Sequence, residues 1–203
     1  MDTSLTALAI SCTLKPSPAS SSSDLLARQL LDALAEHGVT GELVRAVDLD
    51  IRPGVEKDMG DGDQWPGLRQ RVLDADILVF VTPTWMGQHS SVAQRVLERL
   101  DAELGETDEQ GRPILFDKVA IAGVLGNEDG AHHISAILFQ ALNDIGYTIP
   151  AQTSVYWNGE AMQTVDYKDL DETPEAVSSA IATATRNAAH LARQLTAQAY
   201  PAE

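Results

Sequence analysis

Residues Thr82–Ser91, TPTWMGQHSS, set a proline, an indole, a thioether and a glycine side by side between an apolar run and a helical pattern. A strand-to-helix turn needs only a glycine and a capping hydroxyl, so Trp85 and Met86 are surplus to chain geometry. Pro83 is expected to end the strand, Gly87 to let the backbone approach something closely, and Ser90 or Ser91 to cap the next helix. The broad apolar surface of Trp85 and Met86 suits stacking on a flat aromatic ligand, or packing on a neighbouring loop or a second subunit.

Two further stretches carry polar chemistry. SCTLKPSPASSSSD, Ser11–Asp24, offers the hydroxyls of Thr13, Ser17, Ser20, Ser21, Ser22 and Ser23, the Lys15 ammonium, and the N–H groups of a helix start. Those donors and the positive end of a helix suit a phosphate monoester. The alternative, N-capping by Ser22 or Ser23, needs one serine rather than four. Neither GxGxxG nor GxxxxGK[ST] occurs there, which excludes the usual dinucleotide and P-loop sites. In GNEDGAHHI, Gly126 and Gly130 bracket Asn127, Glu128 and Asp129, and a helix follows at once. Backbone N–H groups of that loop are placed to face the edge of a ring. His132 and His133 fall in the first helical turn, where the dipole disfavours the imidazolium, so each is expected neutral and able to make one hydrogen bond. A histidine satisfied structurally is the other outcome for either of them.

All three stretches follow apolar runs, and the order of elements explains why they converge. LTALAISC (Leu5–Cys12) predicts a strand, and DLLARQLLDALAEHG a helix with Leu26, Leu30, Ala33 and Leu34 on one face and Gly38 as its stop. Glu42–Leu49 alternates as an edge strand, Trp65–Asp74 as a helix, and ADILVFVT as a strand covered on both faces. A helix is predicted over Ser90–Gly105, with Val92, Val96, Leu97, Leu100 and Leu104 at its spacing. KVAIAGVLG is the fourth strand; Ile134, Leu138, Ala141, Leu142 and Ile145 stripe the helix after it. YTIPAQTSVYW is the fifth strand, with Pro150 at its beginning or at a sheet edge, and a last helix runs from about Thr173. Five such units in series predict one doubly wound α/β domain over residues 1–203, helices on both faces. Ligands of such sheets bind beyond the carboxyl ends of the strands. Two loops, Asp50–Gln64 and Gly105–Phe116, are long enough to be either functional or mobile.

Composition narrows the partners. Thirty acidic against 14 basic side chains leave a net charge of −16, with no basic stripe for nucleic acid or an anionic membrane. A single cysteine, Cys12, excludes an intrachain disulfide and is expected to be a small buried apolar residue. Metal-ligand spacing is absent. With neither a signal stretch nor an apolar run of membrane-spanning length, the cytoplasm is the expected compartment. No GxSxG elbow supports a serine hydrolase, and the paired acids and strand-ending aspartate of a phosphoacceptor receiver are missing.

A phosphate grip at one end and a flat ring at the other point to flavin mononucleotide (FMN). On the serine-rich first loop, TPTWMGQHSSVAQRVLERLD, GNEDGAHH and the YWNGE after strand five, the chain resembles the flavodoxin-like superfamily, and within it the NADPH-dependent FMN reductase and quinone reductase group. That resemblance implies a five-stranded parallel sheet of order 2-1-3-4-5. It implies that Ser11, Thr13, Ser20, Ser21, Ser22 and Ser23 grip the FMN phosphate, with Lys15 beside them. Pro83, Thr84, Trp85, Met86 and Gly87 would cradle the ring, and Gly126, Asn127, Glu128, Asp129 and Gly130, with His132, would meet its other edge. The short Ser/Arg/Ser pattern of the family's first loop is missing here; the loop is longer, and Lys15 stands where an arginine is usual. Further implications are NAD(P)H as electron donor, a small-molecule electron acceptor such as free flavin or quinone, aromatic cover by Trp85 with Trp157, and a homo-oligomer, dimer or tetramer. The alternative within the fold is an FMN electron carrier without its own NAD(P)H activity.

Overall fold

The computed structural model describes residues 4–161 and 163–202. Five parallel strands make the sheet: β1 (Leu5–Ser11), β2 (Val39–Arg45), β3 (Ile77–Trp85), then, after a two-residue β4 (Gln88–His89), β5 (Val119–Leu125) and β6 (Ser154–Trp157). Their spatial order is β2-β1-β3-β5-β6, with β4 pairing antiparallel to the end of β3. With β4 set aside, this is the expected 2-1-3-4-5 arrangement.

Alternation along each strand sends side chains to opposite faces. Leu8, Ile10, Leu78, Phe80, Ala122 and Val124 meet α2 (Trp65–Asp74), α3 (Ser91–Leu100) and α4 (Ala131–Asp144) through Leu68, Val72, Val96, Ile134 and Leu138. Ala7, Ala9, Val79, Val81 and Ile121 meet α1 (Ser22–Ala35) and α5 (Glu175–Ala197) through Leu26, Leu30, Leu34, Ile181 and Ala188. Cys12 lies fully buried on the first of these faces.

Several boundaries differ from the sequence expectation. β2 begins at Val39, directly after the Gly38 turn, and gives way to a short 3-10 turn over Ala46–Asp48, because its partner β1 ends where Ser11 meets Arg45. Pro83 does not end β3. The pairing with β1 stops at Val81, and from there β3 keeps only β5 as a long neighbour, with Pro83 opposite Leu125; the missing N–H of proline has an unpaired side to face. Tyr147–Thr153 stays outside β6 apart from a bridge at Thr148, since the chain turns at Ala151 and Gln152 after Pro150. The α3 pattern breaks at Asp101 into a 3-10 turn, which leaves Leu104 exposed.

The long loop after β2 is tied down rather than free. Arg99, fully buried, donates to the Glu56 and Arg52 carbonyls, pairs with Asp63 at 2.8 Å, and lies over the Trp65 ring. Burial alone would raise the Asp63 pKa, but N–H groups of Met59, Trp65 and Arg52 and the Arg99 guanidinium outweigh it and hold the acid at about 2. The loop over Gly105–Phe116 is likewise fastened by Arg112 on Asp108 and Asp117.

Candidate functional site

Parallel strands open all their following loops at one rim, and a cleft of about 370 Å³ lies there. One end is polar. Thr13 and Lys15 come from the loop after β1, and Ser21, Ser22 and Ser23 from the start of α1. Ser21, not Ser22 or Ser23, is the N-cap: its side chain accepts from the Asp24 N–H. Ser22 and Ser23 are therefore the first helical residues, whose N–H groups have no acceptor within the helix. Anions are favoured at that position.

This loop is shaped from outside itself. Arg45, the last residue of β2, donates to the carbonyls of Lys15 and Ala19 at 3.0 and 2.9 Å and forks onto Asp24 at 2.6 and 3.0 Å. Asp24 also accepts from the Ser11 hydroxyl at 2.6 Å. Ser17 donates through both N–H and hydroxyl to Asp48, whose pKa those bonds lower. Lys15 makes no ion pair among the described residues, so its charge is available to a ligand.

The other end is built by the end of β3 and the loop after β5. Pro83, Thr84 and Trp85 line it side by side with Gly126, Asn127 and Glu128, so closely that a Cβ on Gly126 would lie 2.7 Å from the Thr84 Cβ. Trp85 is 51% exposed, an indole left uncovered at the mouth. The two loops touch through their backbones: a Cβ on Gly130 would lie 2.9 Å from the Gly87 Cα, and Gly130 has φ +130. Glu128 fastens the same contact, accepting from the N–H groups of Met86 at 3.0 Å and Gly87 at 3.2 Å. Thr84 Oγ1 is buried and without a hydrogen-bond partner among the described residues, a state that buried hydroxyls rarely keep.

A third wall comes from the segment after β6. Trp157 lines the cleft with Asp166, Tyr167 and Lys168. Tyr167 packs on Trp157 with ring centroids 5.6 Å apart and donates to Gln29 at 2.7 Å. The Lys168 N–H donates to the Ser22 hydroxyl, while Asn127 donates to Asp166 at 3.2 Å. Asp169 first, and Asp166 with it, hold the Lys168 ammonium above its ordinary pKa. The cation at this wall is already neutralised.

The structure brings Thr13, Lys15, Ser21, Ser22, Ser23, Pro83, Thr84, Trp85, Gly126, Asn127 and Glu128 together on the cleft. It does not bring the other expected residues there. Ser11 is buried beneath the loop on Asp24, and Ser20 is exposed beside it. Met86 points outward, 91% exposed. Gly87 and Gly130 form the contact behind the wall, and Asp129 is exposed. His132 bonds Tyr156 at 3.0 Å, and His133 meets Gln88. Sequence reasoning missed Leu14, Leu125, Asp166, Tyr167 and Lys168. The last three lie between β6 and α5 in a stretch without periodicity; the signal available was its position, since the loop after every strand opens at this rim. Among the described residues no group of three or more His, Cys, Asp or Glu side chains is placed to hold a metal ion.

The family described as NADPH-dependent FMN reductase matches residues 5–161. An 8-demethyl-8-aminoriboflavin-5'-phosphate synthase from Streptomyces davaonensis is 31% identical over 201 residues, covering 94% of this chain and 78% of that protein. The crystal structure of RosB with the bound intermediate 8-demethyl-8-formylriboflavin-5'-phosphate superposes with a TM-score of 0.87 at 31% identity, over 97% of this chain and 82% of that one. A Mycobacterium bovis protein named divalent metal cation transporter MntH is 42% identical over 169 residues, 81% of this chain, but the chain spans only 25% of that protein's length. No described helix here is long and apolar enough to cross a membrane.

Proposed function

The chain belongs to the NADPH-dependent FMN reductase family, and on that basis we propose that it holds FMN in the rim cleft and moves an electron pair from NAD(P)H to a small acceptor such as free flavin or quinone. The observation that carries this reading is the polarity of the cleft: helix-start N–H groups, hydroxyls and a lysine with no ion pair among the described residues at one end, proline and two indoles toward the other. The residues fit the group. Ser21, Ser22, Ser23 and Thr13 would receive the phosphate with Lys15 as its cation, and the orphaned Thr84 hydroxyl is positioned to gain a partner. Bound there, FMN supplies the capacity to accept and release hydride.

The protein's part is to bind, orient and exclude water. Trp85 and Trp157 offer apolar faces at the mouth. Arg45 holds the phosphate loop in shape, and Glu128 joins the two loops at the opposite end. No side chain is assigned as acid or base, because the chemistry resides in the cofactor. A homo-oligomer working in the cytoplasm completes this reading.

The test is a titration of purified protein with FMN, followed by NAD(P)H oxidation with free flavin or a quinone as acceptor. FMN binding with turnover, and without any partner protein, supports the reductase; binding without NAD(P)H oxidation favours the electron carrier. A second reading has support of its own. The likeness to RosB, at a TM-score of 0.87, extends over 97% of this chain, which favours riboflavin 5'-phosphate as the molecule chemically altered rather than as a resident cofactor. Mass analysis of the flavin after turnover separates the two: the reductase returns FMN of unchanged mass.

A further inference from the structure

The hairpin tip at Met86 and Gly87 lies outside the residues that line the cleft, and its two adjacent N–H groups are both taken by one carboxylate, that of Glu128, which does line it. The arrangement is a two-oxygen clasp: Oε1 takes the Met86 N–H and Oε2 the Gly87 N–H. Met86 is held at φ +54 and Gly87 at φ +71 to present them. Glu128 lines the cleft, and its hydrogen-bond partners there are neutral N–H groups, not a cation. The other carboxylate on the wall, Asp166, has Lys168 at 3.3 Å. Glu128 thus brings to the ring end a negative charge that has no cation paired to it among the described residues.

We propose that Glu128 sets the reducing power of the cofactor, by holding a fixed negative charge beside the ring. The inference rests on the FMN reading. Hydride transfer from NAD(P)H delivers two electrons and one proton to the neutral ring, which becomes an anion, while the nicotinamide becomes the oxidised cation; charge and electrons balance. A carboxylate nearby raises the free energy of the anionic form and leaves the neutral form almost unaffected. The cleft accordingly holds oxidised FMN more tightly than reduced FMN, and the electron pair is passed on rather than kept.

The experiment compares wild type, Glu128→Gln, Glu128→Ala and Glu128→Asp, each loaded with FMN. Dissociation constants for oxidised FMN come from fluorescence titration, and midpoint potentials from anaerobic reduction with dithionite against reference dyes. Loss of the charge in Gln and Ala is expected to tighten reduced relative to oxidised FMN about tenfold, which for a two-electron couple raises the midpoint by about 30 mV. Asp keeps the charge and should stay within threefold of wild type. Ala stands in should Gln fail to fold. Neutral variants with the wild-type potential overturn the proposal, and so does an Asp variant that moves as far as Gln, which would assign the effect to loop geometry. Wild type that binds no FMN overturns the underlying reading instead.

Discussion

Gly130→Ala tests whether the contact between the two ring-end loops is needed for binding. Gly130 sits at φ +130, where an L side chain is strained by about 1–3 kcal/mol. The new Cβ would also lie 2.9 Å from the Gly87 Cα and 3.0 Å from its carbonyl oxygen. Gly87 has no side chain to move aside, so relief must come from separating the loops, and separation stretches the Glu128 bonds to Met86 and Gly87. If about 2 kcal/mol of this is relieved by opening, the fraction of molecules with a closed cleft falls and the apparent FMN dissociation constant rises about 30-fold. Gly60→Ala is the control. It has φ +92 but open space around its Cβ, so it carries only the backbone strain and lies outside the residues that line the cleft. FMN fluorescence titration with thermal melts is the assay: Gly130→Ala should weaken FMN at least tenfold, whereas Gly60→Ala should lower Tm by a few degrees at unchanged affinity. A Gly130→Ala protein that binds FMN within threefold of wild type refutes the reasoning.

Arg45→Ala breaks an ion pair whose side chains are only 10% and 12% exposed; denaturant unfolding should show a loss of about 3–5 kcal/mol, and FMN affinity should fall more than riboflavin affinity because the phosphate loop loses its anchor. Arg45→Lys keeps the charge without the fork, and its loss should lie between wild type and Ala. Lys15→Ala removes the one cleft lysine without an ion pair among the described residues, so the preference for FMN over riboflavin, measured as a ratio of dissociation constants, should fall about tenfold at unchanged Tm, in keeping with about 1.4 kcal/mol for one charge-assisted bond. Asp63 has its pKa lowered from 3.8 to about 2; a depressed acid stabilises the fold fully above the ordinary carboxylate range and loses that contribution as pH falls from about 4 to 2. Asp63→Asn should therefore flatten the stability–pH curve across that window in chemical-denaturation series, while remaining less stable than wild type at neutral pH.

The sheet was legible because burial on both faces leaves continuous apolar runs, as in ADILVFVT and KVAIAGVLG, that only a covered parallel strand explains. Helices were legible from their spacing and stops, with Trp65–Asp74 matching α2 at both ends. Strand ends were not, because pairing is decided by the neighbour: β2 stops where β1 stops, and β3 continues through Pro83 once only one long neighbour remains. The loops after β1, β3 and β5 announced themselves by side chains that chain geometry does not need. Asp166, Tyr167 and Lys168 did not, since a wall made by an irregular segment has no period and is recognised only by what it faces. Long-range anchors were equally silent. Nothing local to Arg45 says that it supports a loop some 30 residues earlier, and the fastening of the loop after β2 by Arg99 depends on an α3 side chain more than 40 residues away.

The central claim, that the rim cleft holds FMN, is tested most directly by the visible absorption spectrum of protein mixed with FMN and freed of unbound ligand by gel filtration. The account predicts that flavin bands elute with the protein near one per chain, shifted from those of free FMN, and disappear from the protein fraction of a Trp85→Ala, Lys15→Ala double variant that still folds. A colourless wild-type protein fraction, or a double variant that retains FMN as tightly as wild type, would contradict it.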